Sequence, residues 1–222
     1  MREEELEQFT NFLNLSKTGF TAPLYFIQGT VGSGKTHLIE RGMVKKIKNS
    51  FIFVKMSAHF DRKKAFDDVN FGCEEGELEF RHSSIRCSEL YSSKLLYEAI
   101  INAIQKAISY EGETKILADN PASMFTVAQT MLDTTQSPIF IILERAHELF
   151  ASLYDAITVL LRHTKYLSGN KLCLILESRD HLHRLNYPSI CPRPVILHLP
   201  EYTRAQVGFE FQKNTINMGH VI

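Results

Sequence analysis

The residues "GTVGSGKT" at positions 29–36 match the pattern G-x-x-x-x-G-K-[ST] in full. Each fixed position has a chemical reason. Gly29, Gly32 and Gly34 allow backbone conformations closed to residues with side chains, so successive N–H groups can turn inward on phosphate oxygens. A helix opening directly after the loop adds its positive dipole end. Lys35 is expected to place a point charge on the β- and γ-phosphates, and the Thr36 hydroxyl to ligate Mg²⁺. Thr30, Val31 and Ser33 supply the remaining backbone of the cradle. The predicted ligand is a Mg-nucleotide.

A second stretch, "IFIILERAHELF" at 139–150, carries the next part of the chemistry. Five apolar residues end abruptly in Glu144 and Arg145. In nucleotide-hydrolysing proteins with this loop, a later apolar strand delivers an acid that holds Mg²⁺, and a neighbouring acid readies the attacking water. Glu144 fits the first role, and none of Asp133, Asp155 and Asp180 ends an apolar strand as well. Arg145 cannot fill the second. Its guanidinium stays protonated and has no acceptor. Losing a positioned general base costs on the order of 10²–10⁴ in rate. Glu148, one helical turn further on, is the weaker substitute. The expectation is a protein that holds nucleotide and hydrolyses it poorly, if at all, with no catalytic residue assigned. The next strand, "KLCLILES" at 171–178, ends in Glu177 and Ser178. Ser178 is the candidate for sensing the γ-phosphate; its alternative is an ordinary loop serine.

These residues need elements to position them. Residues 1–15 read as an amphipathic helix carrying Leu6, Phe9, Phe12 and Leu13 at helical spacing. "APLYFIQG" (22–29) is a strand, and 36–49 is a helix. Residues 92–108 form a helix with Ser92 as N-cap, and 121–135 another, opened by Pro121. The strand 139–143, a helix over 147–167 and the strands 171–178 and 193–200 complete the pattern. The second core strand has two candidates, 51–56 or a piece near 79–87. Unbroken apolar strands alternating with helices imply a parallel sheet covered on both faces. Residues 1–20 are assigned to the leading helix and linker, 21–207 to the nucleotide-binding core and 208–222 to a tail or the start of a truncated lid. Within the core, 57–83 is a polar, charged insertion or mobile hairpin.

The bulk composition excludes more than it assigns. Among 222 residues, Lys+Arg and Asp+Glu each number 25, so no overall charge draws the chain to nucleic acid. Any DNA contact is expected to be local or made through an assembly. Cys73, Cys87, Cys173 and Cys191 form no C-x-x-C pair, and Cys173 lies in an apolar run, which predicts free thiols and a reducing compartment. The acidic start lacks the apolar region of a secretory signal. No apolar run approaches the roughly 18 residues of a membrane span.

Three pieces together resemble the initiator branch of the AAA+ ATPases, and most closely the origin recognition complex subunit 5 family. They are "YFIQGTVGSGKTHLIE"; "IRCSELYSSKLLYEAIINAI" (85–104); and the run "IFIILERAHEL", "LCLILESRDHL" and "PVILHLPEYTRAQV", whose "PEYT" is similar to that family's exit toward its lid. The N-terminal "REEELEQFTNFL" is similar to the clade's leading helix. The resemblance covers most of 1–207 apart from 57–83. It implies an α/β P-loop AAA+ core with a parallel five-stranded sheet, ATP and Mg²⁺ as ligands, and a place in the nucleus. It also implies a hetero-oligomeric ring of origin recognition complex subunits that reaches DNA as a complex. The family's lid and winged-helix domains are expected to be missing from these 222 residues. An arginine acting in trans on a neighbour's nucleotide is usual in such rings; Arg162, Arg179, Arg184 and Arg193 are the candidates. Competing readings are an active AAA+ ATPase, a P-loop kinase using Asp61, Asp67 or Asp68, and a P-loop signalling switch unrelated to chromatin.

Overall fold

The computed structural model describes residues 3–17, 24–45, 81–108, 120–135, 138–164, 166–167, 171–189 and 191–202. Five strands form one sheet: β1 (Leu24–Gln28), β2 (Arg81–Arg86), β3 (Ile139–Glu144), β4 (Leu172–Ser178) and β5 (Val195–His198). Their order is β2-β3-β4-β1-β5, and every pairing is parallel. The described helices are α1 (Glu3–Lys17), α2 (Lys35–Lys45), α3 (Ser93–Ala107), α4 (Pro121–Asp133), α5 (His147–Ser152) and α6 (Tyr154–Thr164).

Period-two alternation divides the sheet between two cores. Leu24, Phe26, Ile139, Ile141, Leu143, Leu172, Leu174 and Leu176 face the cluster built with α3, α4, α5 and α6. Tyr25, Ile27, Phe140, Ile142, Cys173, Ile175 and Leu197 face the other way, against Leu6, Phe9, Phe12 and Leu13 of α1 and Leu38, Ile39 and Met43 of α2. Phe12 stacks on Tyr25 with ring centroids 4.1 Å apart, and Phe9 lies 5.6 Å from the same ring. Burial in this aromatic packing pushes the Tyr25 phenol up to about 12. The leading helix is thus part of the core. Cys87, Cys173 and Cys191 are buried thiols outside any disulfide, and burial was expected of Cys173; Cys73 lies outside the described residues.

Local chemistry explains most of the boundaries. Ser92 accepts a hydrogen bond from the Leu95 amide at 3.3 Å and caps α3. Asn120 does the same for α4, taking the Ser123 amide at 2.9 Å, with Pro121 in the first turn. Two expectations change. The second core strand is Arg81–Arg86, within the 79–87 candidate, so residues 81–83 belong to the sheet and not to the insertion expected over 57–83; 51–56 and 208–222 lie outside the described residues. The helix expected over 147–167 is two helices. Leu153 leaves the helical region (φ −130°, ψ 41°), and Ser152 turns its hydroxyl back on the Glu148 carbonyl at 2.8 Å, a bond that bends helices.

Candidate phosphate-binding site

A parallel sheet gathers the C-terminal ends of its strands along one rim, where α/β folds place their ligands. The loop 29–36 leaves β1 at that rim and enters α2. Gly32 and Gly34 sit at φ +81° and +87°, the left-handed region that strains any residue with a Cβ. At Gly34 a Cβ would also lie 2.7 Å from the Tyr202 hydroxyl, and at Gly29 one would lie 2.5 Å from the Leu199 carbonyl oxygen. The loop is therefore pressed between α2 and the chain leaving β5. Thr30 and Val31 are exposed at its tip, and Ser33 is buried beneath. The Lys35 ammonium folds back to donate to the carbonyls of Gly29 (2.7 Å) and Thr30 (2.9 Å). Burial pulls its pKa below that of an ordinary lysine, and the Glu177 carboxylate opposes the pull.

The acid that meets the loop is Glu177. The Thr36 hydroxyl lies 3.2 Å from Oε1 and 3.4 Å from Oε2 of Glu177, whose residue is 8% exposed. It is the one acidic residue classed as buried among the described residues. Burial pushes its carboxyl above the usual carboxylate range; Lys35 lowers it, Glu144 raises it, and the Thr36 hydrogen bond lowers it. Ser178, the candidate for sensing the γ-phosphate, is the next residue of β4. Adjacent residues of a strand point to opposite faces, so Ser178 faces away from α2. Its hydroxyl donates to the Asp180 carbonyl at 2.8 Å and accepts the Asp180 amide at 3.0 Å. The side chain from this strand end that reaches the phosphate loop is its neighbour.

Glu144 stands beside Glu177. The β3–β4 register runs from Ile139 opposite Leu172 to Leu143 opposite Leu176, which makes Glu144 and Glu177 the next pair, on the α2 face. Glu144 is more open, with a side chain 25% exposed and 3.9 Å from the Arg86 guanidinium. Arg145 follows at φ +59°, a conformation uncommon outside glycine, and its guanidinium pairs with Glu148. Glu148, the substitute acid suggested by the sequence, is thus held by the residue it would have replaced. This turn lets the Ala146 amide donate to the Glu177 carbonyl at 2.7 Å, tying the ends of β3 and β4 together. Beneath it His147 is buried, and neither ring nitrogen has a hydrogen-bond partner among the described residues; burial, reinforced by Arg179, lowers its pKa.

Chemically, the loop amides, the start of α2 and Lys35 suit a phosphate chain. The Thr36 hydroxyl and the two carboxylates are the oxygen donors that Mg²⁺ takes. A buried carboxylate already resting on that hydroxyl is a natural counter-charge for the metal. Arg162, Arg179, Arg184 and Arg193 are all exposed, and Arg179 lies 3.7 Å from Asp180. Asp61, Asp67 and Asp68 lie outside the described residues. Among the described residues no helix is long and apolar enough to cross a membrane.

No protein-family model matches the sequence, and no curated protein does. Solved structures do. The chain is similar to a structure of Drosophila ORC bound to DNA, with a TM-score of 0.67 at 18% identity over 96% of this chain and 47% of that one. It is similar to the Aeropyrum pernix ORC1 protein in complex with DNA, at TM-score 0.63 and 14% identity over 97% and 49% of the two chains. The Aeropyrum pernix ORC2 protein in ADPNP-ADP complexes gives 0.63 and 16% over 96% and 51%. The fold is that of the ORC/Cdc6 AAA+ P-loop domains, and the chain spans about half the length of these structures.

Proposed function

We propose that this chain is an ATP-binding subunit of an origin recognition complex. In this reading it acts in replication initiation inside the nucleus. Bound ATP and Mg²⁺ stabilise its assembly with neighbouring subunits in a ring, and DNA is reached through that complex. Origin recognition complex subunit 5 is the family assigned. The observation that carries the reading is the phosphate loop itself. It is formed between β1 and α2, with Gly32 and Gly34 at positive φ and Lys35 and Thr36 in place, on a sheet whose solved likenesses include nucleotide and DNA complexes. Hydrolysis is expected to be weak, because the position after Glu144 is a guanidinium paired with Glu148. Ligand bound to the folded state alone stabilises it by mass action, so a hundredfold excess over Kd adds about 2.7 kcal/mol. Purified protein should therefore retain extractable ATP, melt higher with Mg-ATP, and lose both properties in Lys35→Ala. Co-purification from nuclear extract should return other complex subunits. No nucleotide and no melting shift would remove the reading.

One observation favours a second reading, an active ATPase. Glu177 is a buried acid with a raised pKa beside the phosphate loop, the condition of a general base. Steady-state phosphate release abolished by Glu177→Gln would establish it.

A further inference from the structure

Two strand ends deliver a carboxylate to the same face of one rim, and the phosphate loop closes on the more buried of them. Glu177 lies opposite Ile27 on β1, one residue before the strand hands over to the loop, and the Gly29 amide donates to the Ser178 carbonyl at 3.2 Å. Its carboxylate straddles the Thr36 hydroxyl, and its cross-strand neighbour is Glu144. Lys35 is the buried cation facing Glu177. Lys35 and the more exposed Arg86, 3.9 Å from Glu144, at most balance these two negative charges. A triphosphate brings several more. Like charges a few ångströms apart at a partly buried site repel strongly, and a divalent cation held between them reverses the sign.

We infer that Glu177 is a second metal-side carboxylate that makes nucleotide binding strictly dependent on a divalent cation. Resting on the nucleotide-binding reading above, this assigns Glu177 the control over which form of nucleotide enters. Metal-free ATP is turned away, and the Mg²⁺ complex is accepted because Thr36, Glu144 and Glu177 face the metal together. A neutral side chain at 177 would leave the loop amides and Lys35 free to hold bare nucleotide.

The test is isothermal titration of ATP and of ADP into the full chain, in Mg²⁺ and in EDTA. Wild type is compared with Glu177→Gln, which keeps an acceptor for Thr36 and removes the charge, and with Glu177→Asp, which keeps the charge. Glu177→Ser serves as a second neutral variant should the glutamine chain melt early. Wild type should lose about 100-fold or more in ATP affinity in EDTA. In the neutral variants that ratio should shrink by roughly tenfold, through tighter binding in EDTA and weaker binding in Mg²⁺. Glu177→Asp should keep a ratio near that of wild type. Mn²⁺ in place of Mg²⁺ gives a spectroscopic reading, with weaker metal retention in Glu177→Gln. An unchanged ratio in the neutral variants overturns the inference and leaves nucleotide binding standing. Absence of binding in every buffer overturns both. Turnover in wild type that disappears in Glu177→Gln while the ratio stays fixed assigns Glu177 to water activation instead.

Discussion

Arg145 combines two features that separate cleanly by substitution. Its left-handed backbone costs a side-chain-bearing residue about 1–2 kcal/mol, and its exposed pair with Glu148 returns less than about 1 kcal/mol. Arg145→Gly should therefore leave stability unchanged or raise it by up to about 1 kcal/mol, whereas Arg145→Val should lower it by roughly 1–2 kcal/mol, both read by urea denaturation. His147 is the complementary case. A buried ring with neither nitrogen hydrogen-bonded among the described residues costs about 1–3 kcal/mol of desolvation, so His147→Leu should raise the melting temperature. The pH dependence has a definite sign. The folded pKa is lowered below the unfolded value near 6.5, so below that pH the unfolded chain takes up a proton that the folded chain refuses. Wild type should lose stability as pH falls from about 6.5 toward the lower folded pKa, and the leucine variant should lose less. At this scale the phosphate loop was legible because its chemistry is contiguous in sequence. Glu177 was missed by reading each strand along its length. "IFIILE" and "LCLILE" end in the same phase, and two parallel strands in register must set their glutamates side by side.

Elements built on local rules were also readable. Ser92 and Pro121 mark helix starts through a capping hydrogen bond and ring geometry, whereas the Asn120 cap was not read. β2 was ambiguous for a physical reason. As an edge strand it buries Ser83 and Ile85 and exposes their neighbours Ser84 and Arg86, so it lacks the apolar run of an inner strand. The break at Leu153 was invisible because apolar spacing continues through it while the backbone turns. The contact between α1 and α2 gives a sharper test. A Cβ at Gly42 would lie 2.4 Å from Cδ1 of Phe9, a fully buried ring. Gly42→Ala should cost about 1–3 kcal/mol by overpacking, and Phe9→Leu should recover part of that loss in the double variant. Additive losses would mean that the two helices do not pack as described.

Across the whole molecule, one sheet order accounts for the site. Placing β1 between β4 and β5 sets the phosphate loop beside Glu177 on one flank and Leu199 and Tyr202 on the other. No single stretch of sequence contains that arrangement, which is why the acids could be proposed one at a time and not as a set. The packing of α1 has a further consequence. Gly42, where Phe9 seats, is seven residues along α2 from Lys35, about 10 Å of helix. The N-terminal segment therefore grips the same rigid rod whose first residues, Lys35 and Thr36, close the phosphate loop. Occupancy should be felt as slower deuterium uptake at the amides of Leu6 to Leu13, far from any phosphate, and the Gly42→Ala chain should transmit less of that protection.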